Sequence, residues 1–171
     1  DLLDSNQVND YFIKYKPEYI FLISGKSGGI KLNIDKPATL MHDNLIVISN
    51  VIYHSKQLGV KKLLYLSPSC VYPKNTEQPM SINNLMKGKL EPTSSAYALA
   101  KLTGIELCKA YNKEFNTNFI SCISCNIFGL YDDFISDNSH AFSSLIRKIY
   151  HAKKNDFKNV EIWGSGNPKR E

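Results

Sequence analysis

The sequence predicts an α/β fold, a doubly wound parallel sheet with helices on both faces. Helical and strand-like patterns alternate four times along the 171 residues. Each strand-like run is short and apolar throughout rather than half polar, as strands covered on both sides are. No internal repeat or low-complexity linker breaks the alternation, so the chain reads as one domain or a large part of one.

The elements follow in order. Residues 5–15 place Val8, Phe12 and Tyr15 near helical spacing behind an Asp-Ser cap, and EYIFLIS at 18–24 reads as a buried strand. Residues 38–58 form a long apolar-periodic helix closed by Gly59, and KKLLYLS at 61–67 is the next strand. A third helix over 94–115 leads into a strand at 118–125. A fourth over 139–154 leads into VEIWG at 160–164. The loops at 25–37, 68–92 and 126–138 each follow a strand, and ligands of open α/β sheets sit beyond the carboxyl ends of strands.

Composition bounds the function. With 43% apolar and 11% aromatic side chains the chain can bury a core. It starts at Asp1, shows no charged-then-apolar signal segment, and no apolar run approaches the ~20 residues that cross a bilayer. A cytoplasmic protein with no membrane partner is the simplest reading. The net charge is +5, and the stretch 147–171 holds seven Lys or Arg against three acids, a basic surface suited to a phosphorylated small molecule. Aromatic and basic residues do not interleave as in nucleic-acid binders, so no nucleic-acid partner is expected. Cys122 and Cys125 have CxxC spacing, but on a strand residues three apart point to opposite faces. Reduced thiols and no metal follow.

Two stretches carry chemistry. SAYALAK places Tyr97 and Lys101 four residues apart on one helical face, which continues through Gly104, Cys108 and Tyr111. An ammonium beside a phenol favours phenolate and would lower the pKa of Tyr97, making it a proton donor or acceptor near neutral pH. Alone, the pattern also fits a core tyrosine beside a lysine that reaches for solvent. In LYLSPSCVYP at 64–73, Cys70 stands past the end of a strand, on the edge where ligands bind. An inert packed thiol is the alternative.

These stretches, together with KPEYIFLISGKSGGI (16–30), NLIVISNVI (44–52), LEPTSSAYALAKLTGIELCKAYN (90–112), NIFG (126–129), DNSH (137–140) and WGSGNPKRE (163–171), resemble the extended short-chain dehydrogenase/reductases, the NAD-dependent epimerase/dehydratase family, and within it the GDP-L-fucose synthase branch. The resemblance implies a Rossmann-type domain holding NADP(H) and an enzyme that epimerises C3 and C5 of a GDP-4-keto-6-deoxy-hexose and reduces C4. It also implies a homodimer. Tyr97 would protonate the C4 oxygen, and Lys101 would hold the nicotinamide ribose. Cys70 and His140 would serve as the epimerising base and acid. Asp1 and Leu2 would lie by the adenine, with Ser24, Gly25 and Lys26 beside the cofactor. Asn126 and Phe128 would border nicotinamide and sugar, His140 also touching the cofactor. Arg147, Lys148, Trp163 and Arg170 would serve the GDP-sugar, an arginine fork suiting a diphosphate.

The chain departs from that pattern in two places. Pro68 stands where the family carries the Ser or Thr whose hydroxyl bonds the reacting carbonyl, leaving Ser67 or Ser69 to replace it. Ser69 is the candidate for the site, and the change suits another keto-sugar, such as a heptose derivative. Further, no glycine-rich turn follows an early strand, and Gly25, Gly28 and Gly29 come after a later one. Residues 1–171 are therefore expected to be the central part of the dinucleotide-binding domain, lacking the first βαβ portion and the C-terminal substrate portion, with the start of the substrate-binding region near 126–171. A C4 reductase without epimerase activity, a 4-epimerase or dehydratase of another nucleotide sugar, and a catalytically inactive dinucleotide-binding protein are the alternatives.

Overall fold

The computed structural model describes residues 1–135, 139–162 and 164–167. The element order is α1 (Ser5–Tyr15), β1 (Tyr19–Leu22), α2 (Ile30–Asp35), α3 (Pro37–Gln57), β2 (Lys62–Pro68), α4 (Ser95–Phe115), β3 (Phe119–Ser124) and α5 (Ala141–Lys154).

The three strands form one parallel sheet in the order β1-β2-β3, with Ile20 opposite Leu63 and Leu63 opposite Phe119. Because neighbouring strands follow one another in sequence and parallel crossovers share one hand, their connecting helices fall on the same face. α3 and α4 pack side by side there. β2 shows the consequence residue by residue, with Leu63, Tyr65 and Ser67 buried and the residues between them less so. The opposite face of the sheet carries Tyr19, Phe21 and Ile23, all exposed. The helix cover expected on both faces is thus present on one among the described residues.

Local chemistry explains the element ends. The Asp4 carboxylate accepts from the amides of Asn6 and Gln7 and starts α1, whose Val8 and Phe12, one turn apart, pack into the core. Pro37 opens α3, where a missing amide hydrogen costs nothing, and Gly59 follows its end at φ +69°. On α3 the inner stripe runs Leu40, Asn44, Val47, Ile48, Val51, Ile52 and Ser55. Asn112 on α4 reaches down to the next strand, donating to the Phe119 carbonyl at 2.7 Å and accepting from its amide at 2.9 Å. That pair sets where β3 begins.

The core contains a close fit between sheet and helix. Tyr65 is fully buried against Gly104, where an added Cβ would stand 2.5 Å from the ring. Only glycine lets the helix approach so near.

Two expectations are corrected. α2, six residues long, lies in the stretch expected to be loop. Residues 160–162 form no strand; a strand exists through its ladder, and no neighbour pairs with these residues in the sheet described.

Candidate active site

The site is assembled where β1 and β2 end and α4 passes beneath them. β1 delivers Ser24 and Gly25, the end of β2 turns through a single 3-10 turn, Ser69–Val71, and α4 presents Tyr97 and Lys101. Lys101 is only 4% exposed. Its Nζ stands 5.8 Å from the centre of the Tyr97 ring and donates to the Ser24 carbonyl at 3.4 Å, a long bond. Tyr65 supports the same turn from below, its hydroxyl donating to the Lys101 carbonyl at 3.0 Å.

Gly25 is where the chain comes closest to this lysine. A Cβ on Gly25 would lie 2.4 Å from Asn44 Oδ1 and 2.5 Å from Lys101 Nζ. Asn44, fully buried on α3, donates to the carbonyls of Lys26 at 2.9 Å and Leu40 at 2.7 Å, which leaves its Oδ1 without a donor. Asn44 is the site residue that sequence reasoning missed. Its signal was a lone amide on an otherwise apolar helical stripe.

The electrostatics differ from expectation. Burial removes the water that would solvate phenolate, so the Tyr97 pKa is raised above its ordinary 10, and a negative charge on nearby Cys70 would raise it further. The expected lowering by Lys101 does not occur, because desolvation prevails and the ammonium lies over the ring. Burial also pushes Lys101 down to about 8 and Cys70 up to about 11, while each charge favours the other. A neutral phenol, a thiol and a readily deprotonated amine therefore lie within electrostatic reach of one another.

The remaining candidates are distributed more widely. Ser67 alternates inward with Tyr65 and is fully buried, so its hydroxyl is turned away from the strand mouth. Ser69 lies half-buried in the turn beside Cys70. Lys26 pairs with Asp43 at 3.1 Å. Asp1 and Leu2 are exposed, and the Leu2 carbonyl accepts from Asn50 at 2.9 Å. Asn126 is exposed past β3, and the Phe128 ring lies 4.4 Å from that of Phe142 on α5. His140 is the exposed N-cap of α5, and among the described residues no hydrogen bond joins it to Cys70 or Tyr97. Arg147 donates to the Ile135 carbonyl, and Lys148 donates to that of Glu161 at 2.9 Å. Trp163 and Arg170 lie outside the described residues. None of the four cysteines forms a disulfide among the described residues; Cys122 and Cys125 are exposed rather than packed. Among the described residues no group of His, Cys, Asp or Glu could hold a metal ion, and no helix is long and apolar enough to cross a membrane.

A profile of the NAD dependent epimerase/dehydratase family matches residues 1–171, the entire chain. The protein belongs to that family. Among its relatives, GDP-L-fucose synthase of Escherichia coli (strain K12) is 40% identical over 171 residues, the match covering 100% of this chain and 53% of that protein. Two solved structures are similar. A GDP-L-fucose synthetase from Naegleria fowleri bound to NADP superposes with a TM-score of 0.87 at 29% identity, covering 99% of this chain and 55% of that one. MlghC, a GDP-mannoheptose C4 reductase from Campylobacter jejuni with NADP bound, gives 0.80 at 33% identity, covering 90% and 45%. The chain spans about half the length of the curated relatives it matches.

Gly25, Lys101 and Asn44 fit a dinucleotide ribose. Gly25 has no side chain where one would block the approach to Lys101, whose ammonium has only a long bond, and the buried Asn44 oxygen has no donor.

Proposed function

We propose that the protein is an NADPH-dependent 3,5-epimerase and 4-reductase of a GDP-4-keto sugar. One observation carries the reading: Tyr97 and a buried Lys101 stand together at the carboxyl end of a parallel sheet, with Cys70 close enough to couple to both charges. The names of the relatives and of the NADP-bound neighbours support it.

Lys101 and Asn44 would hold the nicotinamide ribose beside Gly25, with Ser24 and Lys26 flanking it and Asp1 and Leu2 towards the adenine. NADPH, when bound, supplies hydride to C4. Tyr97, kept protonated by its burial, gives its proton to the C4 oxygen, and the Ser69 hydroxyl takes the hydrogen-bonding place that Pro68 leaves empty. Cys70 removes a proton from carbon acidified by the 4-keto group, and His140 returns one from the other face. Asn126, Phe128, Arg147 and Lys148 border the nucleotide-sugar; Trp163 and Arg170 join them by resemblance alone. The assembly is a homodimer in this reading.

A C4 reductase that does not epimerise is the second reading. It is favoured by the raised Cys70 pKa, about 11, which leaves little thiolate to act as base. Both readings are tested by following NADPH oxidation by the full-length protein with GDP-4-keto-6-deoxymannose in deuterated water. Oxidation with deuterium at C3 and C5 supports the first, oxidation without deuterium the second. No oxidation with any GDP-4-keto sugar removes both.

A further inference from the structure

Tyr65 meets Lys101 at both of its ends. Its hydroxyl donates to the Lys101 carbonyl at 3.0 Å, and the Lys101 Nζ stands over its ring, 5.9 Å from the centre. The tyrosine is fully buried, and Gly104 of α4 lies so close that an added Cβ would fall 2.6 Å from Cε1. A ring bound at its tip and flanked this tightly has one place to stand. β2 thus sets a fixed aromatic face beside the one buried lysine of α4.

The ammonium needs such a neighbour. Among the described residues no carboxylate pairs with Lys101, and its bond to the Ser24 carbonyl is 3.4 Å long. Around it stand the Cys70 thiol from the turn after β2, the phenols of Tyr97 and Tyr65, and the neutral Asn44 amide of α3. Lys26, the next cation past Gly25, is paired with Asp43. A charge taken out of water without a counter-ion is favoured by the electron-rich face of an aromatic ring within about 6 Å. Tyr97, the other ring in reach, has the reaction to serve in the proposed function. Tyr65 is closed off from solvent and acts through the lysine.

We infer that Tyr65 is a positioning residue, whose ring keeps the Lys101 ammonium charged and beside Gly25, where it can hold a cofactor ribose. The inference rests on the proposed role of Lys101 and adds a residue to it. Because the ring favours the charged amine, removing it lets the burial that already lowers Lys101 carry its titration to still lower pH. Cofactor binding then weakens at pH values where the parent still holds an ammonium. A residue that served packing alone would weaken binding by one factor at every pH, or not at all.

The test is the dissociation constant of NADPH for the full-length protein from pH 6.5 to 9, by fluorescence titration, in the parent, Tyr65→Phe and Tyr65→Leu. A desolvated ring contact corresponds to about one pH unit in the lysine. The Tyr65→Leu constant should therefore lie near the parent's at pH 6.5, exceed it about fivefold at pH 8 and approach about tenfold at pH 9. Tyr65→Phe keeps the ring and loses only the hydroxyl bond, so it should follow the parent within about threefold throughout. The carbon-13 signal of Lys101 Cε, assigned by its absence in Lys101→Met, reads the same titration without cofactor. Its midpoint should fall by about one unit in Tyr65→Leu. Tyr65→3,4,5-trifluorophenylalanine, which keeps the ring and drains its face of electrons, should move the midpoint the same way relative to Tyr65→Phe, even where the leucine variant fails to fold. Midpoints within about 0.3 unit of their references in both ring variants overturn the role of Tyr65. So does a Tyr65→Phe profile that departs from the parent's as Tyr65→Leu does, since the effect then lies in packing. A midpoint that moves while the ratio of NADPH constants stays flat retains the hold of Tyr65 on the lysine and removes Lys101 from the ribose in the proposed function.

Discussion

The Lys101 ammonium stands 5.8 Å from the centre of the Tyr97 ring, one helical turn away on the same α4 face, in a pocket that leaves the lysine 4% exposed. At that separation the charge does not turn the phenol into phenolate, because burial acts on both groups and favours the neutral form of each. A phenol that keeps its proton is suited to protonating a reduced carbonyl. Tyr97→Phe in the full-length protein should therefore lower NADPH-dependent turnover by ~100-fold or more, while binding of the sugar nucleotide changes little. Lys101→Met should weaken NADPH binding as well. Steady-state rates and NADPH titration check both, and turnover within threefold of the parent for Tyr97→Phe would remove the tyrosine from the chemistry.

The same buried groups set a pH profile for stability. Lys101 has a folded pKa of about 8 against its ordinary 10.5, so between those values the unfolded chain binds more protons and stability rises with pH. Cys70 has a folded pKa of about 11 against 9.0, so between 9 and 11 the folded chain holds the extra proton and stability falls with pH. Their sum is a rise from pH 8 to 9, little slope just above 9, and a fall once the raised tyrosines Tyr65 and Tyr97 join in above 10. Urea midpoints across this range check the shape. Lys101→Met should abolish the rise, and an unchanged slope between pH 8 and 9 in that variant would contradict the assignment.

Tyr65 and Gly104 form a steric lock under this pair. An alanine Cβ at 104 would stand 2.5 Å from Tyr65 Cζ and 2.8 Å from its hydroxyl oxygen, on a ring that cannot retreat from the core. Gly104→Ala should thus destabilise by about 1–3 kcal/mol despite the better helix propensity of alanine, which offsets about 1 kcal/mol at most. Thermal unfolding measures this. In Tyr65→Leu, with the ring removed, the same Gly104→Ala change should cost far less, and equal costs in the two backgrounds would show that the residues do not meet.

The alternating elements were legible because each long helix has a clean apolar stripe, and Tyr97 and Lys101 were legible because four residues on a helix is one face. The face of the sheet left open was not legible. Tyr19, Phe21 and Ile23 are apolar like residues of a covered strand, and nothing in their identity says whether a partner layer is present. α2 was hidden because six residues without a side-chain N-cap have almost no periodic signal; Asn33 holds that turn to Gly28 and Gly29 through contacts that only the folded chain brings together. Asn44 was overlooked for a related reason. A polar residue in an apolar stripe reads as a tolerated exception until its partners, the carbonyls of Lys26 and Leu40, are seen. VEIWG has strand-like composition, yet residues 160–162 do not pair, since a strand needs a neighbour as well as a pattern.

In the proposed reaction Cys70 would separate epimerisation from reduction, because the two steps share a keto-sugar and need different groups. Proton exchange at C3 and C5 requires a base beside those carbons, and burial holds the Cys70 thiol at about 11, so the base form must be gained from a nearby positive charge. Lys101 is such a charge, and about 11 is where the thiol stands with its lowering effect included, while Cys70 in turn favours the ammonium. Exchange should then depend on Lys101 as well as on sulfur, whereas proton delivery to the C4 oxygen makes no demand on sulfur. Cys70→Ser should abolish uptake of solvent deuterium at C3 and C5 yet leave NADPH oxidation with a 4-keto sugar already in the product configuration. His140→Asn should slow or misdirect the same uptake, since the returning proton lacks its donor. Mass spectrometry of the product sugar reads both. Deuterium entering the Cys70→Ser product as fast as the parent's would make this cysteine packing rather than base, and a parent enzyme that reduces without any uptake would leave C4 reduction as its whole reaction.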